Sequence, residues 1–536
     1  MDIQAFELRI GRFRFGVTTI ALFAIAVLGV ALRLKGIHNP ILDHPNWRQG
    51  DMASVARNFA TLTYNILYPQ TNYNGPPPNY VELELQIVPF LAATAYKIFG
   101  VHEIFGRLIT LGFSVATLPL LFAFGRWLFS SERAGLLAAL LYAIYPGAVF
   151  YGRTFTPDET MVFFLVAALY ACSRLIVEDE AMEPRKLARA TALLALALLA
   201  KPVSALILVP IIWLIIERVR SGRTMRPTAA LVLIGVPLFI LAWYDHNVSA
   251  HAEWHWASGI TEKHVIPSLI AALTSVHGFI AKARYVLFDG WLFARTMLGW
   301  VGFAAAVASI IVLPRVASRT PAILWGWLLG GLMYVYVVVT VERVDYYMLP
   351  LVPLFALTTA GALDVVMARF RTNAAIIGVT VLLASIWYIG HRAIAPYYAY
   401  SRPAYRDAIA LNATLPKHAL VVMGHYGPDV LYYIGRYGWE EDPYIWTTFD
   451  EESAIRKGAR YFISVEDGRF RHNLELCAWM QRFPLLDARA RWPVYITDPL
   501  REKPQADAFW RAFRIAEHAG NGRAFLDAHH VCTIHA

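Results

Sequence analysis

Residues 42–59, LDHPNWRQGDMASVARNF, concentrate side chains that could carry out acid–base and anion-binding chemistry. Their ionisable members are Asp43, His44, Arg48, Asp51 and Arg57. A carboxylate can take a proton from a hydroxyl nucleophile, and a guanidinium binds phosphate or carboxylate through fixed donors. The bland alternative is a solvated loop, with Asp51 serving as an early-turn helix acid. The mixture favours a site where an anion and a hydroxyl meet.

Other charged and aromatic candidates lie near the predicted ends of apolar segments. They are Glu84, Arg153, Asp158, Lys201, Arg343, Tyr346 and Tyr347. Two of them have a structural alternative. Asp158 follows a proline and could serve merely as a helix cap, and the Lys201 side chain could extend to the membrane surface. Charges at the bilayer centre cost about 2.5–3.5 kcal/mol each, so they belong at segment ends unless they have a function. On the predicted topology these candidates all lie on one side of the membrane.

The motif HAEWHW places His251 and His255 four residues apart, with Glu253 between them. Such a pair could bind a metal if the segment were helical. The motif does not match H-E-x-x-H, and the neighbouring tryptophans favour histidines at a membrane interface. No metal ligand is assigned, and a divalent metal is left open.

Composition indicates a protein that crosses a membrane many times. Of 536 residues, 57% are hydrophobic and 16% are charged, against about 25% charged in soluble domains. The net charge of +9 fits basic loops beside anionic lipid better than nucleic-acid binding. The three cysteines, Cys172, Cys477 and Cys532, exclude a disulfide-rich scaffold and show no zinc spacing. The sequence allows a disulfide between Cys477 and Cys532 but does not decide it.

About eleven apolar segments are long enough, or nearly so, to span a bilayer. They are 16–35, 104–124, 134–151, 160–177, 188–201, 203–217, 228–244, 297–314, 322–341, 348–366 and 374–391. The first is too long for a signal peptide and no cleavage site follows it. Alternate loops are basic, as with Arg126 and Arg133. The positive-inside rule then predicts a cytoplasmic N-terminus and an outer C-terminus.

Two domains are predicted. Residues 1–392 form the transmembrane domain, whose first outer loop, 36–103, contains an amphipathic helix over 50–62 lying flat on the membrane. Residues 393–536 have the hydropathy of a soluble α/β domain. There PAYRDAIALNATL and PDVLYYIGRYGW predict helices, and HALVVMG, ARYFISVED and WPVYITD predict strands.

The first outer loop with its early aspartate, together with YGRTFTPDE, LLAKP and RVDYYMLPLVP, resembles the GT-C glycosyltransferases. The order and sidedness of these motifs are most similar to glycosyltransferase family 39, which includes protein O-mannosyltransferases, and to the related lipid A aminoarabinose transferases. The resemblance covers roughly residues 16–391. It implies an α-helical polytopic GT-C fold in the bacterial inner membrane, with the C-terminal domain in the periplasm.

The resemblance also implies a chemistry. The donor would be a sugar on a polyprenyl phosphate, usually undecaprenyl phosphate, and the sugar would pass with inversion to a glycan, lipid or protein hydroxyl. An aspartate of the first outer loop would be the base. Relatives often carry an acidic pair where this chain has Arg48-Gln49, so the base is Asp43 or Asp51, with Asp43 slightly preferred because it lies closer to the first span.

The remaining candidates take roles from the same resemblance. Arg153, Lys201 and Arg343 would stabilise the departing phosphate, joined by Arg48 or Arg57, and Asp158 would position the base or the sugar. Family members differ in metal use, so no cofactor is assigned.

Two other functions compete with an enzyme. A lipid-linked sugar flippase would be expected to carry inverted repeats and charges at mid-membrane depth, and neither pattern is visible here. A membrane anchor for a partner-binding tail leaves the charges of the first outer loop unexplained.

Overall fold

The computed structural model describes residues 7–10, 13–316, 318–370, 372–487 and 490–533. The chain divides into two compact units. The first, here called the membrane unit, comprises Met1–His38, Glu82–His251 and His255–Tyr398. The second, the loop–tail unit, comprises Asn39–Val81, Ala252–Trp254 and Ala399–Ala536. The first outer loop therefore contributes most of its length to the same unit as the C-terminal tail.

The membrane unit is built almost entirely from helices. Its α-helices are α1 Val17–Arg33, α3 Ile87–Phe99, α4 Ile104–Phe129, α5 Glu132–Ile144, α6 Pro146–Tyr151, α7 Asp158–Glu178, α8 Pro184–Ala200, α9 Leu208–Arg220, α10 Pro227–Ala230, α11 Val236–His251, α12 Ala257–Ile260, α13 Ile266–Thr274, α14 Val276–Leu292, α15 Trp300–Val312, α16 Pro321–Tyr334, α17 Thr340–Glu342, α18 Val352–Arg369 and α19 Asn373–Ile394. Short 3₁₀ or π segments join several of them, including Pro202–Ile207 and Asp345–Leu351. Strands β1 Glu7–Ile10 and β2 Phe13–Gly16 form a hairpin before α1.

Helices occupy all of the predicted spanning segments. Among the described residues, seven helical stretches are long and apolar enough to cross a membrane, and a bent pair, Val276–Met297 with Trp300–Val312, makes eight if it counts as one span. The α1 and α3 helices are apolar but shorter. The chain is a multi-pass membrane protein, as predicted, while the count of about eleven crossings remains a prediction.

The loop–tail unit has an α/β tail. Strands β5 Leu420–Gly424, β6 Tyr437–Glu441, β7 Ala459–Ile463 and β8 Val494–Ile496 lie in the order β6-β5-β7-β8. The first three are mutually parallel, and β8 is antiparallel to β7. The helices of this unit are α2 Asn46–Thr61, α20 Arg402–Thr414, α21 Pro428–Ile434, α22 Thr448–Arg456, α23 Asp467–His472, α24 Leu474–Met480, α25 Ala506–His518 and α26 Gly522–Ala528. Strands β3 Val81–Glu82 and β4 Trp254–His255 are two residues each.

One predicted helix of the tail is shorter than expected. PDVLYYIGRYGW is helical only to Ile434, and its last residues begin strand β6. Gly435 ends the helix in the left-handed region, with φ of 69°, where glycine has no Cβ penalty. The other predicted helix and the three strands of the tail are present.

Cys477 and Cys532 form a disulfide that links α24 to the end of the tail, across 55 residues of sequence. Both side chains lie in the apolar core of the tail. A covalent link across a long loop stabilises the fold mainly by restricting the unfolded chain.

We expect the double replacement Cys477→Ser and Cys532→Ser to lower the free energy of unfolding by about 2–4 kcal/mol. Thermal unfolding of the purified protein, with and without dithiothreitol, measures the change. Cys172→Ala is the control, because that buried thiol is free. A wild-type melting curve that is unchanged by reduction would contradict the prediction.

Helix α2 differs from the amphipathic surface helix that was predicted. It begins at Asn46, so Arg48 is helical rather than part of an extended stretch. Ten of its sixteen residues are buried, among them the consecutive run from Gln49 to Ala56. Eight consecutive buried residues cover every face of a helix, so α2 is enclosed by protein rather than exposed on one face.

Helix α2 packs directly on α21 at Gly50. A Cβ placed on Gly50 would lie 2.6 Å from the backbone nitrogen of Asp429 and 2.8 Å from its Cα. Backbone atoms cannot move aside as the end of a side chain can. Glycine is therefore required for this close approach.

We expect Gly50→Ala to destabilise the loop–tail unit by about 1–3 kcal/mol through overpacking. Limited proteolysis of the purified protein should then cleave residues 62–79 faster than in the wild type. Gly468→Ala is the matched control, since a Cβ at that position of α23 meets nothing within 4 Å. Equal cleavage rates for Gly50→Ala and wild type would refute the packing argument.

Candidate active site

Lys201 and Asp158 form a buried ion pair in the membrane unit. Lys201 Nζ donates to Asp158 Oδ1 at 2.6 Å, and the side chains are 10% and 0% exposed. Pro202 restricts Lys201 to an extended conformation, with φ of −167°, so α8 ends there. Asp158 opens α7, where the helix dipole favours a carboxylate. Two helix termini thus hold one charge each.

Two tyrosines enclose the cation of this pair. Lys201 Nζ lies 4.6 Å from the ring centroid of Tyr347 and 5.3 Å from that of Tyr346. Both belong to the 3₁₀ segment Asp345–Leu351. The predicted candidates Lys201, Asp158, Tyr346 and Tyr347 are therefore together in space.

Asp345 is in the same 3₁₀ segment as the two tyrosines and was not among the candidates from the sequence. It is 3% exposed and accepts hydrogen bonds from Tyr151 Oη at 2.6 Å and Tyr397 Oη at 2.7 Å. Asp345 lies one residue before Tyr346, within the motif RVDYYMLPLVP, so an acid next to two tyrosines was the available signal. The two phenols provide a hydrogen-bond donor for each carboxylate oxygen.

Arg153 is fully buried in the same unit. Its Nη1 donates to Gly36 O at 3.1 Å, and its guanidinium lies 4.6 Å from the ring centroids of Phe150 and Tyr398. The arginine is thus held in one orientation by a carbonyl and two rings, as a pre-positioned anion-binding group would be.

Arg343 and Glu84 have other surroundings in the structure. Arg343 is exposed, with its guanidinium 4.7 Å from the ring centroid of Tyr285. Glu84 accepts a hydrogen bond from Gln86 Nε2 through its backbone carbonyl. The substrate-binding roles of both residues remain predictions from the sequence.

In the loop–tail unit, Asp43 is fully buried and held by amides. Gln49 Nε2 donates to its Oδ1 at 2.8 Å, and Asn39 Nδ2 donates to its Oδ2 at 3.1 Å. Gln49 also donates to the backbone carbonyl of Asp43 at 2.9 Å. These bonds fix the chain leading into α2.

Asp51 lies on α2 with a phenol and a guanidinium beside it. Tyr73 Oη donates to Asp51 Oδ1 at 2.7 Å, and Arg48 Nη1 is 3.8 Å from Oδ2. Burial, and then Asp51, raise the pKa of Tyr73 well above its usual value. Tyr73 therefore remains a neutral donor to the carboxylate at physiological pH.

The other candidates of the first outer loop contact the tail or their own loop. Arg57 Nη1 donates to Tyr432 O at 3.0 Å, and its guanidinium is 4.3 Å from the Tyr432 ring centroid. His44 is half-buried, and its carbonyl accepts from Gln49 Nε2 at 3.4 Å. These contacts indicate that Arg57 has a structural role, which is to join the first outer loop to the tail.

The HAEWHW motif is not a helix in the structure. His251 ends α11, and His255 belongs to β4. His255 Nδ1 is 3.6 Å from Oε2 of the buried Glu82. Within the described part of the chain, no group of three or more His, Cys, Asp or Glu side chains is arranged to hold a metal ion.

Residues 86–243 match the family model of the dolichyl-phosphate-mannose-protein mannosyltransferases. No curated protein sequence matches the chain. The matched segment contains the Lys201–Asp158 pair and Arg153.

Solved structures share the fold at low identity. ArnT from Cupriavidus metallidurans bound to undecaprenyl phosphate superposes with a TM-score of 0.56 at 14% identity, over 90% of this chain and 99% of ArnT. The apo oligosaccharyltransferase of Archaeoglobus fulgidus gives 0.55 at 14% identity, over 88% of this chain and 73% of its own. AglB from the same organism, in complex with an inhibitory peptide and a dolichol-phosphate, gives 0.53 at 13% identity, over 91% and 75%.

The fold is thus that of the GT-C membrane enzymes, as the sequence resemblance implied. Over residues 86–243 the chain also matches the mannosyltransferase family model, so both this segment and the fold are similar to those of GT-C glycosyltransferases.

Proposed function

We propose that the chain transfers a sugar, with inversion, from a polyprenyl phosphate to an acceptor hydroxyl at the outer face of the bacterial inner membrane. The observation that carries this proposal is the buried Lys201–Asp158 pair at two helix termini, beside two tyrosines. A buried cation at such a position suits a lipid-linked anion better than a purely structural role.

The donor assignment has two supports. One related structure holds undecaprenyl phosphate and another holds a dolichol-phosphate. In this chain, Lys201 and Arg153 supply donors for the phosphate that gains charge as the glycosidic bond breaks. Arg153 is already oriented by Gly36 O, so it loses little freedom on binding. Arg343, with Tyr346 and Tyr347, is assigned to the same donor, and Glu84 to the sugar.

We assign the base to Asp51 rather than Asp43, although the sequence slightly preferred Asp43. Both Asp43 oxygens accept amide hydrogen bonds, so its carboxylate is used in holding the loop. Asp51 accepts from a phenol, Tyr73, through Oδ1, and a cation, Arg48, lies 3.8 Å from its Oδ2. We assign the acceptor proton to the Asp51 carboxylate, which lies beside Tyr73 and Arg48, with Arg57 and His44 supporting the loop.

The proposal places the N-terminus in the cytoplasm and the tail, residues 393–536, in the periplasm, on the positive-inside pattern. The disulfide of the tail agrees with an oxidising compartment. The acceptor is an envelope glycan, lipid or protein.

A transfer assay tests the proposal. Purified protein in nanodiscs is given undecaprenyl-phosphate sugars and a membrane extract as acceptor source, and mass spectrometry follows donor and products. We expect donor loss only when acceptor is present. Movement of labelled donor across liposomes without its consumption would favour a flippase and refute the enzyme.

A further inference from the structure

The loop–tail unit contains a pocket of about 470 Å³. Its wall includes Leu42 and Asn46 from the first outer loop and Val430 and Trp492 from the tail. This volume is within the range of small-ligand sites, about 300–1,000 Å³. Leu42 directly precedes Asp43, so the pocket adjoins the loop that carries the proposed base.

Asp429 contributes a buried carboxylate to the wall of this pocket. The residue is 2% exposed, and its Oδ2 accepts from Asn46 Nδ2 at 2.9 Å. Its Oδ1 has no hydrogen-bond partner among the described residues. His425 Nε2 lies 3.7 Å from this oxygen, beyond hydrogen-bond distance, so Oδ1 can accept from a donor on a bound molecule.

His425 lies between two carboxylates at the same wall. Its Nδ1 is 2.6 Å from Glu466 Oε1, and its Nε2 is 3.7 Å from Asp429 Oδ1. Burial lowers the pKa of His425, but Asp429 and Glu466 outweigh it, so the pKa is raised above its usual value. The imidazolium therefore persists to higher pH and offsets part of the acidic charge.

The remaining polar lining is mixed in sign. Asp407 Oδ1 accepts from the backbone nitrogen of Arg491 at 3.4 Å, and Ser401 adds a hydroxyl. The carboxylates disfavour a phosphate or other free anion, and the two cationic side chains, His425 and Arg491, disfavour a simple polyamine. Sugar hydroxyls both donate and accept, so they suit carboxylates and cations together, while the face of Trp492 suits their C–H groups.

We propose that this pocket binds one or two sugar units of the acceptor, so that the acceptor is a glycan or glycolipid. That the bound sugar belongs to the acceptor rests on the proposed function. Binding of a sugar to the pocket can be measured without turnover. Asp429 accepts from a sugar hydroxyl through Oδ1, and Trp492 packs on the ring.

The test is binding of the labelled full-length protein, in nanodiscs, to an array of bacterial surface oligosaccharides. We expect wild type to bind at least one glycan, and both Asp429→Asn and Trp492→Ala to weaken that binding by about tenfold or more. In Asp429→Asn the new amide oxygen can still accept from Asn46, so the fold should be kept. Glu452→Gln, an exposed acid on α22 outside the pocket, is the control and should bind as wild type.

Three outcomes would overturn the proposal. They are no glycan bound by wild type, equal binding by the variants, and competition by spermidine alone, which would make the pocket an amine site. Glycan binding without any transfer activity would instead contradict the proposed function and leave the pocket assignment intact. Thermal melting of each variant verifies that a loss of binding is not a loss of fold.

Discussion

Asp51→Asn is expected to lower turnover by about 10²–10⁴-fold, the usual contribution of general base catalysis. The substitution removes the proton-accepting charge but keeps an oxygen that can accept from Tyr73 Oη. Melting temperature and donor affinity should therefore change little, while the rate at saturating donor and acceptor falls.

Asp43→Asn is the matched comparison on the same loop. It keeps an acceptor for one amide but loses the charge that both Asn39 and Gln49 contact. We expect a modest loss of stability and a rate within about tenfold of wild type. The reverse pattern, with Asp43→Asn inactive and Asp51→Asn active, would move the base to Asp43, and full activity in both would remove the base from this loop.

Lys201→Met is expected to have the second large effect. It should lower both the affinity for the donor and the stability of the fold. Loss of a charge-assisted hydrogen bond costs about 1.5–3 kcal/mol of binding free energy. Undecaprenyl phosphate should therefore bind roughly tenfold to a hundredfold more weakly. The variant also leaves Asp158 buried and without its cation, which costs about 3–5 kcal/mol of stability.

The double variant Lys201→Met with Asp158→Asn separates the two effects. Neutralising Asp158 removes the uncompensated charge, so the melting temperature should recover towards that of wild type. Donor affinity should stay low, because the phosphate-binding cation is still missing. Recovery of affinity together with stability would show that Lys201 serves only the fold.

The membrane unit was largely predictable because apolar segment length and loop charge are strong local signals. The ion pair between Lys201 and Asp158 was not predictable, although both residues were candidates. Pairing across 43 residues depends on how α7 and α8 pack, and no local pattern encodes that. Asp345 was missed although it directly precedes two candidate tyrosines, because its two phenol partners, Tyr151 and Tyr397, lie in distant segments.

The loop–tail unit shows the opposite limit. The predicted strands were present because short β-branched and aromatic runs bounded by turns are a local signal. The predicted amphipathic surface helix is instead the buried helix α2. Its burial follows from the packing of Gly50 on Asp429, which lies far along the chain. Sequence spacing alone treated Asp43 and Asp51 as near equivalents, whereas their hydrogen bonds differ.

Stoichiometry is the most direct test of the central claim, that the chain consumes a polyprenyl-phosphate sugar. Purified protein in nanodiscs is incubated with undecaprenyl-phosphate sugars and acceptor, and released undecaprenyl phosphate and glycosylated acceptor are both quantified. We predict equal amounts of the two products, opposite anomeric configuration in donor and product, and neither product with Asp51→Asn. Undecaprenyl-phosphate sugar that remains intact with every sugar and acceptor tried, while wild-type protein is folded and binds the lipid, would contradict the account.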